Sequence, residues 1–98
     1  MLDKLKALMD MQKKMQDVKK ELDNIDFEVL SSDGLVKLTM NGSQELKQVK
    51  ITVGLAGLEV NNLESSLKDA WNRAIKRSHE LAALKMKDVT GFNLPGLT

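Results

Sequence analysis

From Leu2 to about Asn24 the chain carries strong helix formers without glycine or proline, and Leu8, Met11, Met15, Val18, Leu22 and Ile25 recur at spacings of 3, 4, 3, 4 and 3. That spacing predicts an amphipathic helix with a heptad seam. At 1.5 Å per residue such a helix is ~35 Å long, about the full width of a compact domain of this size. Its far end is therefore expected to project beyond its own core and to seek a second chain. From Ile25 the pattern changes to alternation, with Ile25, Phe27 and Val29 on one face. Ser31 to Gly34 supplies a turn, Val36, Leu38 and Met40 alternate again, Asn41-Gly42 is a second hairpin signal, and Leu46 to Val53 places Val49, Ile51 and Val53 on one face. Three antiparallel strands in a meander follow.

The segment from Gly54 to Asn61 reads as a loop, with Asn62 as a helix N-cap and Ser65 or Ser66 as later alternatives. Beyond it, Leu63, Leu67, Ala70, Trp71, Ala74, Ile75, Leu81 and Ala82 form an apolar stripe suited to covering a sheet, and Gly91 reads as the helix stop. The expectation is a single α+β domain over residues 1–98 of αβββα order. Residues 1–24 form a projecting helix, 25–53 the antiparallel sheet, 62–90 the second helix and 91–98 a short tail, either a strap over a groove or disorder. One helix and one sheet face leave both sheet edges and most of the first seam uncovered, which predicts a homodimer formed at the edges or at the seam.

Composition supports a small core that benefits from a partner: 42% of the 98 residues are hydrophobic, but Phe27, Phe92 and Trp71 are the only large aromatic residues. There is no cysteine, so no disulfide or thiolate metal site compensates, and the expected compartment is the cytoplasm. The longest apolar run, Val53 to Leu58, falls far short of the ~20 residues that span a bilayer. No membrane partner is expected, and no signal peptide is recognisable.

Catalytic chemistry has few candidates. His79 is the sole histidine, and at helical spacing it faces Ile75, Lys76, Ala82 and Ala83, with no carboxylate or second imidazole among them. Ser78 precedes it directly, and consecutive helical residues point ~100° apart, a poor nucleophile and base pair. The six glycines form no phosphate-cradling motif. No enzyme activity, cofactor, metal or small-molecule substrate is expected.

Charge is more informative. Fifteen Lys and Arg against fourteen Asp and Glu leave a net charge of +1, so any affinity for nucleic acid must come from local geometry. Lys6, Lys13 and Lys20 share one heptad position away from the seam, flanked by Lys14 and Lys19. Such a stripe on a projecting helix could track phosphates without reading bases. Asp3, Asp10 and Asp17 stand three residues before those lysines, in the order that favours intrahelical pairing, so a solvated salt-bridged face is the competing reading. Arg73, Lys76 and Arg77 form a tighter cluster on the second helix between Asp69 and Glu80, and two arginines able to fork onto phosphates make it the stronger candidate. Lys37, Lys47 and Lys50 fall in the sheet, where lysines often only prevent edge aggregation. Met9, Met11 and Met15 are expected to pack along the seam, or to form an adaptable partner groove.

Gly34-Leu35-Val36-Lys37-Leu38-Thr39-Met40-Asn41-Gly42, followed by Val49-Lys50-Ile51, resembles the central strands of the YbaB/EbfC family of bacterial nucleoid-associated proteins, whose core reads glycine, hydrophobic, Val-x-Val-x-x-Asn-Gly. The resemblance extends to the helix bearing Met11-Gln12-Lys13-Lys14-Met15-Gln16, to Leu67 through Lys76 and to a short Pro/Gly tail. It departs in having few glycines near the N-terminus and a shorter tail. The resemblance implies a tweezer-shaped homodimer in the nucleoid that binds duplex DNA with weak sequence preference, through its helices and not its sheet, with effects on DNA conformation and gene expression. The alternative class is a non-enzymatic adaptor that grips a protein with its methionine-bearing arms.

Overall fold

A computed structural model describes residues 2–90, without the side chains of Val89 and Thr90. The stop at Gly91 and the tail lie outside the described residues. In chain order the elements are α1 (Leu2–Asp23), β1 (Asp26–Leu30), β2 (Val36–Asn41), β3 (Leu46–Ile51), a short 3-10 turn (Leu55–Gly57) and α2 (Val60–Thr90). This is the expected α+β order. The strands form one antiparallel sheet in the order β1-β2-β3, joined in register by Phe27 opposite Met40, Val29 opposite Leu38, Leu38 opposite Val49 and Val36 opposite Ile51. A bulge between Thr39 and Met40 shifts the last pair to Met40 and Leu46.

Opposed residues in a ladder share a face, so one face is apolar throughout, and α2 lies on it. The core is Val36, Leu38 and Met40 of the central strand against Ala70 and Ala74 of α2, all fully buried. The two alanines let the helix axis approach the sheet. Helix α2 sits over β2 and β1, so every residue of β3 remains exposed.

The seam of α1 divides in two. Val18 and Leu22 are buried and Met15 is half-buried, whereas Leu8 and Met11 are 63% and 45% exposed. The cause is the path of α2, which passes the β2–β3 turn at Ser78 and continues outward alongside the C-terminal half of α1. Gln44 donates to Ser78 Oγ at 3.0 Å, and a Lys85–Glu21 ion pair at 3.3 Å ties the helices together. The N-terminal half of α1 extends past this contact and is exposed along its length. The molecule measures 67 × 23 × 16 Å with a radius of gyration of 18.0 Å, against ~13 Å for a compact chain of this size.

Two turns fix these layers. At the first, Gly34 takes φ of 76°, the left-handed conformation that favours glycine. At the second, the sequence signal is right but the reason for the glycine is different. Gln44, not Gly42, holds the positive φ, at 67°. Gly42 is needed for space: its N–H donates to Leu22 and Ile25 carbonyls at 2.9 Å, and a Cβ there would lie 2.9 Å from the Leu22 carbonyl oxygen. Buried Asn41 completes the joint, its Oδ1 accepting from the Ser43 and Glu45 N–H groups and its Nδ2 donating to the Asp23 carbonyl and Glu45 Oε1.

Helix α2 begins two residues before the expected Asn62. Leu63 N–H donates to the Glu59 carbonyl at 3.0 Å, so Asn62 lies inside the first turn and its amide donates to Glu59 Oε2 instead of capping.

Candidate nucleic-acid interface

The basic residues of α1 stand on its outer face. Relative to Val18 and Leu22, which are buried, Lys6, Lys13 and Lys20 lie on the opposite side of the helix at 100° per residue. All three are exposed. Over fourteen residues the row is ~21 Å long. The competing reading, pairing with Asp3, Asp10 and Asp17, is not what the structure shows: none of the three lysines joins an ion pair among the described residues. The acids lie nearby on the helix but leave the ammonium groups unengaged. Lys14 is likewise exposed and unpaired, whereas Lys19 is bound to Asp23 at 3.3 Å.

The cluster on α2 has a different character. Arg73 Nε donates to Asp69 Oδ1 at 3.1 Å, and its Nη2 donates to Ser32 Oγ. Asp69 in turn accepts from the Ser32 N–H and hydroxyl at 2.7 and 2.9 Å. Arg73 thus fastens α2 to the β1–β2 turn. Arg77 is paired with Glu80 at 3.2 Å, which leaves Lys76 as the unpaired cation of the three. The cluster is also separate from the α1 row. From Arg73 to Lys85, where α1 comes alongside, α2 rises ~18 Å.

The β1–β2 turn carries a second carboxylate clamp. Asp33 accepts from Ser31 Oγ at 2.6 Å, from Ser66 Oγ and from the Leu35 N–H at 3.0 Å. These bonds, that from Ser31 foremost, hold its pKa down at about 2. Hydrogen bonds from Ser32, with Arg73 beside it, lower that of Asp69. A cavity of about 250 Å³ lies between Ser32, Asp33, Ser65, Ser66 and Asp69. Its carboxylates are ionised acceptors committed to the turn, so the cluster joins elements together and offers no activated nucleophile.

The sequence pattern anticipated uncovered sheet edges, but not the apolar groove beside the bare flank of β3. Leu46 and Val49, with Leu67 and Trp71 of α2, line a groove of about 520 Å³ bordered by Glu64 and Lys68. Trp71 is 41% and Leu67 42% exposed. Both belong to the helical stripe read as sheet cover, but they lie on its β3 side, where α2 does not reach the strand. The unusual signal was that the only tryptophan sits on that side of the stripe. His79 is exposed, and among the described residues no group of three or more potential metal ligands occurs. Nor, among them, is any helix long and apolar enough to cross a membrane.

Comparison with known proteins places the chain in a family. The profile of the YbaB/EbfC DNA-binding family matches residues 1–93. A nucleoid-associated protein of Clostridium acetobutylicum is 33% identical over 95 residues, covering 95% of this chain and 85% of that protein. Another, of Clostridium kluyveri, is 30% identical, covering 95% of this chain and 83% of its own. Among solved structures, an uncharacterized protein of Helicobacter pylori superposes with a TM-score of 0.67 at 21% identity, over 87% of this chain and 95% of that one, a likeness of fold.

Proposed function

From the premise that the chain belongs to the YbaB/EbfC DNA-binding family, we propose that it binds duplex DNA as a homodimer, without catalysis and with little sequence preference, through contacts to backbone phosphates. It acts at the nucleoid, where the relatives' names also point, and influences DNA conformation and gene expression. The observation that carries this reading is the outward row of Lys6, Lys13 and Lys20 along α1, the first two on its projecting part, all three exposed and without an ion pair among the described residues. Lys14 and Lys76 add unpaired charge, while Lys19, Arg73 and Arg77 hold neighbouring carboxylates and contribute by exchanging them for phosphate. A linear row suits a backbone whose charges recur every few ångströms and gives no means of reading base edges.

The homodimer is supported by the bare flank of β3. A free edge strand beside an apolar groove is a liability for a lone chain. Pairing β3 with its symmetry mate would extend the sheet to six strands and cover Val49, Ile51 and Trp71. Two copies of each arm would then grip one duplex, and linkage multiplies weak contacts.

The test is titration of a fluorescent random-sequence duplex at several salt concentrations. Wild-type affinity is expected to fall with salt at ~0.9 log units per phosphate engaged. The variant Lys6→Gln/Lys13→Gln/Lys20→Gln should bind at least tenfold more weakly with a shallower slope. Salt-independent binding, or a triple variant that binds as wild type, would remove the reading. A second reading, the adaptor, is favoured by the exposed Leu2, Leu5, Leu8, Met9 and Met11 at the tip of α1. A partner retained after nuclease treatment of the lysate and lost on Leu5→Glu would favour it.

A further inference from the structure

The face of the sheet turned away from α2 has no covering element among the described residues, and its charges are not distributed evenly. Asp26 and Glu28 occupy β1, whereas Lys37 and Lys50 occupy β2 and β3, directly opposite each other in the ladder. Like charges at opposed positions repel, their Cβ atoms being ~5 Å apart. Glu28 neutralises one of them, at 3.1 Å from Lys37 Nζ. Lys50 is exposed and has no ion-pair partner among the described residues. Lys37 stands on the central strand, so protection of an edge does not account for it. Elsewhere the domain resolves its polar groups: no buried side-chain nitrogen or oxygen among the described residues lacks a partner. A like-charge pair opposed on an open sheet face marks a place where an anion from outside the chain would complete the electrostatics.

We propose that this open sheet face is a second phosphate-binding surface, which takes the backbone of a second DNA duplex while the α1 arms hold the first. It rests on the dimer proposed above. Joined at β3, two sheets place four lysines toward the middle and the acids of β1 at the rims. From Lys37 to its symmetry mate is three strand spacings, ~14 Å, so the positive band is narrow and flanked by negative charge. Thr39 and Gln48, opposed on the same face, add neutral donors for phosphate oxygens. The protein then has two nucleic-acid surfaces on different elements and links duplexes rather than only coating one.

The experiment immobilises one duplex, loads the full-length protein and measures capture of a second, differently labelled duplex. Wild type should capture it with an affinity that falls with salt. Lys37→Gln/Lys50→Gln should keep its hold on the first duplex, capture the second at least tenfold less and lose up to ~3.6 from the salt slope of capture, four charges at ~0.9 each. Unchanged thermal unfolding, expected because the substitution removes both the Lys37–Lys50 repulsion and the exposed Lys37–Glu28 pair, each of small effect, assigns the loss to binding. Wild type that holds the first duplex but captures no second overturns this inference and leaves the arm-binding reading standing. A sheet variant that captures as well as wild type overturns it equally. Wild type that holds no duplex removes both.

Discussion

The half of the molecule built on the sheet and the outer half of α1 obey opposite rules. Around β2 every layer is determined: Val36, Leu38 and Met40 are fully buried against Ala70 and Ala74, and each turn is held by a carboxylate or amide with several partners. Residues 2–14 of α1 are all exposed, with apolar and basic residues alike unengaged. Stability is concentrated in the first region and unused chemistry in the second. A protein arranged this way can change what it binds without changing whether it folds.

That contrast is broken most severely at its centre. Leu38→Ala should cost about 3 kcal/mol, since it empties a fully buried site between two layers; urea unfolding measures it. Gly42→Ala should cost about 2 kcal/mol, because the new methyl meets the Leu22 backbone, which cannot yield as a side chain can. Hydrogen exchange should show the loss concentrated where α1 joins the sheet. Gly34→Ala should cost about 1 kcal/mol for a left-handed residue with open space around it.

Acid separates the regions by another route. The folded pKa of Asp33, about 2, lies below its ordinary value of 3.8. The stabilisation is therefore fully present above about pH 4 and is lost as pH falls towards 2. Thermal unfolding between pH 5 and 2 should show a steeper acid limb for wild type than for Asp33→Asn, which is already weakened at pH 5. The smallest effect belongs to the arm. Leu5→Ala should change stability by no more than about 0.5 kcal/mol. A loss well above that, growing with protein concentration, would mean that a second molecule covers the tip.

Much of the fold was legible because it follows from local periodicity. The alternation of Val36, Leu38 and Met40 and the 3,4 spacing of α1 each name an element without reference to anything distant. The Asn41-Gly42 signal placed the hairpin correctly, but the steric need for Gly42 was invisible because it arises from Leu22, twenty residues away. The site was less legible. Asp69, four residues before Arg73, was visible as a neighbour of the cluster, but the second partner of Arg73, Ser32, stands forty-one residues earlier and was not. For the acids and lysines of α1 the sequence left a salt-bridged face and a free lysine row as competing readings, and the structure leaves Lys6, Lys13 and Lys20 without an ion pair among the described residues.

The sequence by itself determined the five main elements, their order, the polarity of their faces and the existence of a long first helix with a row of lysines at one heptad position, since each depends on residues a few positions apart. Only the tertiary structure decided how α2 is placed, and that placement has two consequences. Leaning over β1 and β2, it leaves β3 and Trp71 uncovered; running outward past the sheet, it takes the rear half of the α1 seam and leaves the front half bare. The physical reason is that a stripe of apolar residues specifies that a face will be buried but not which neighbour buries it. That choice is made by the shape of the whole, through two alanines that admit the helix to the sheet and a glycine that admits α1 to the turn.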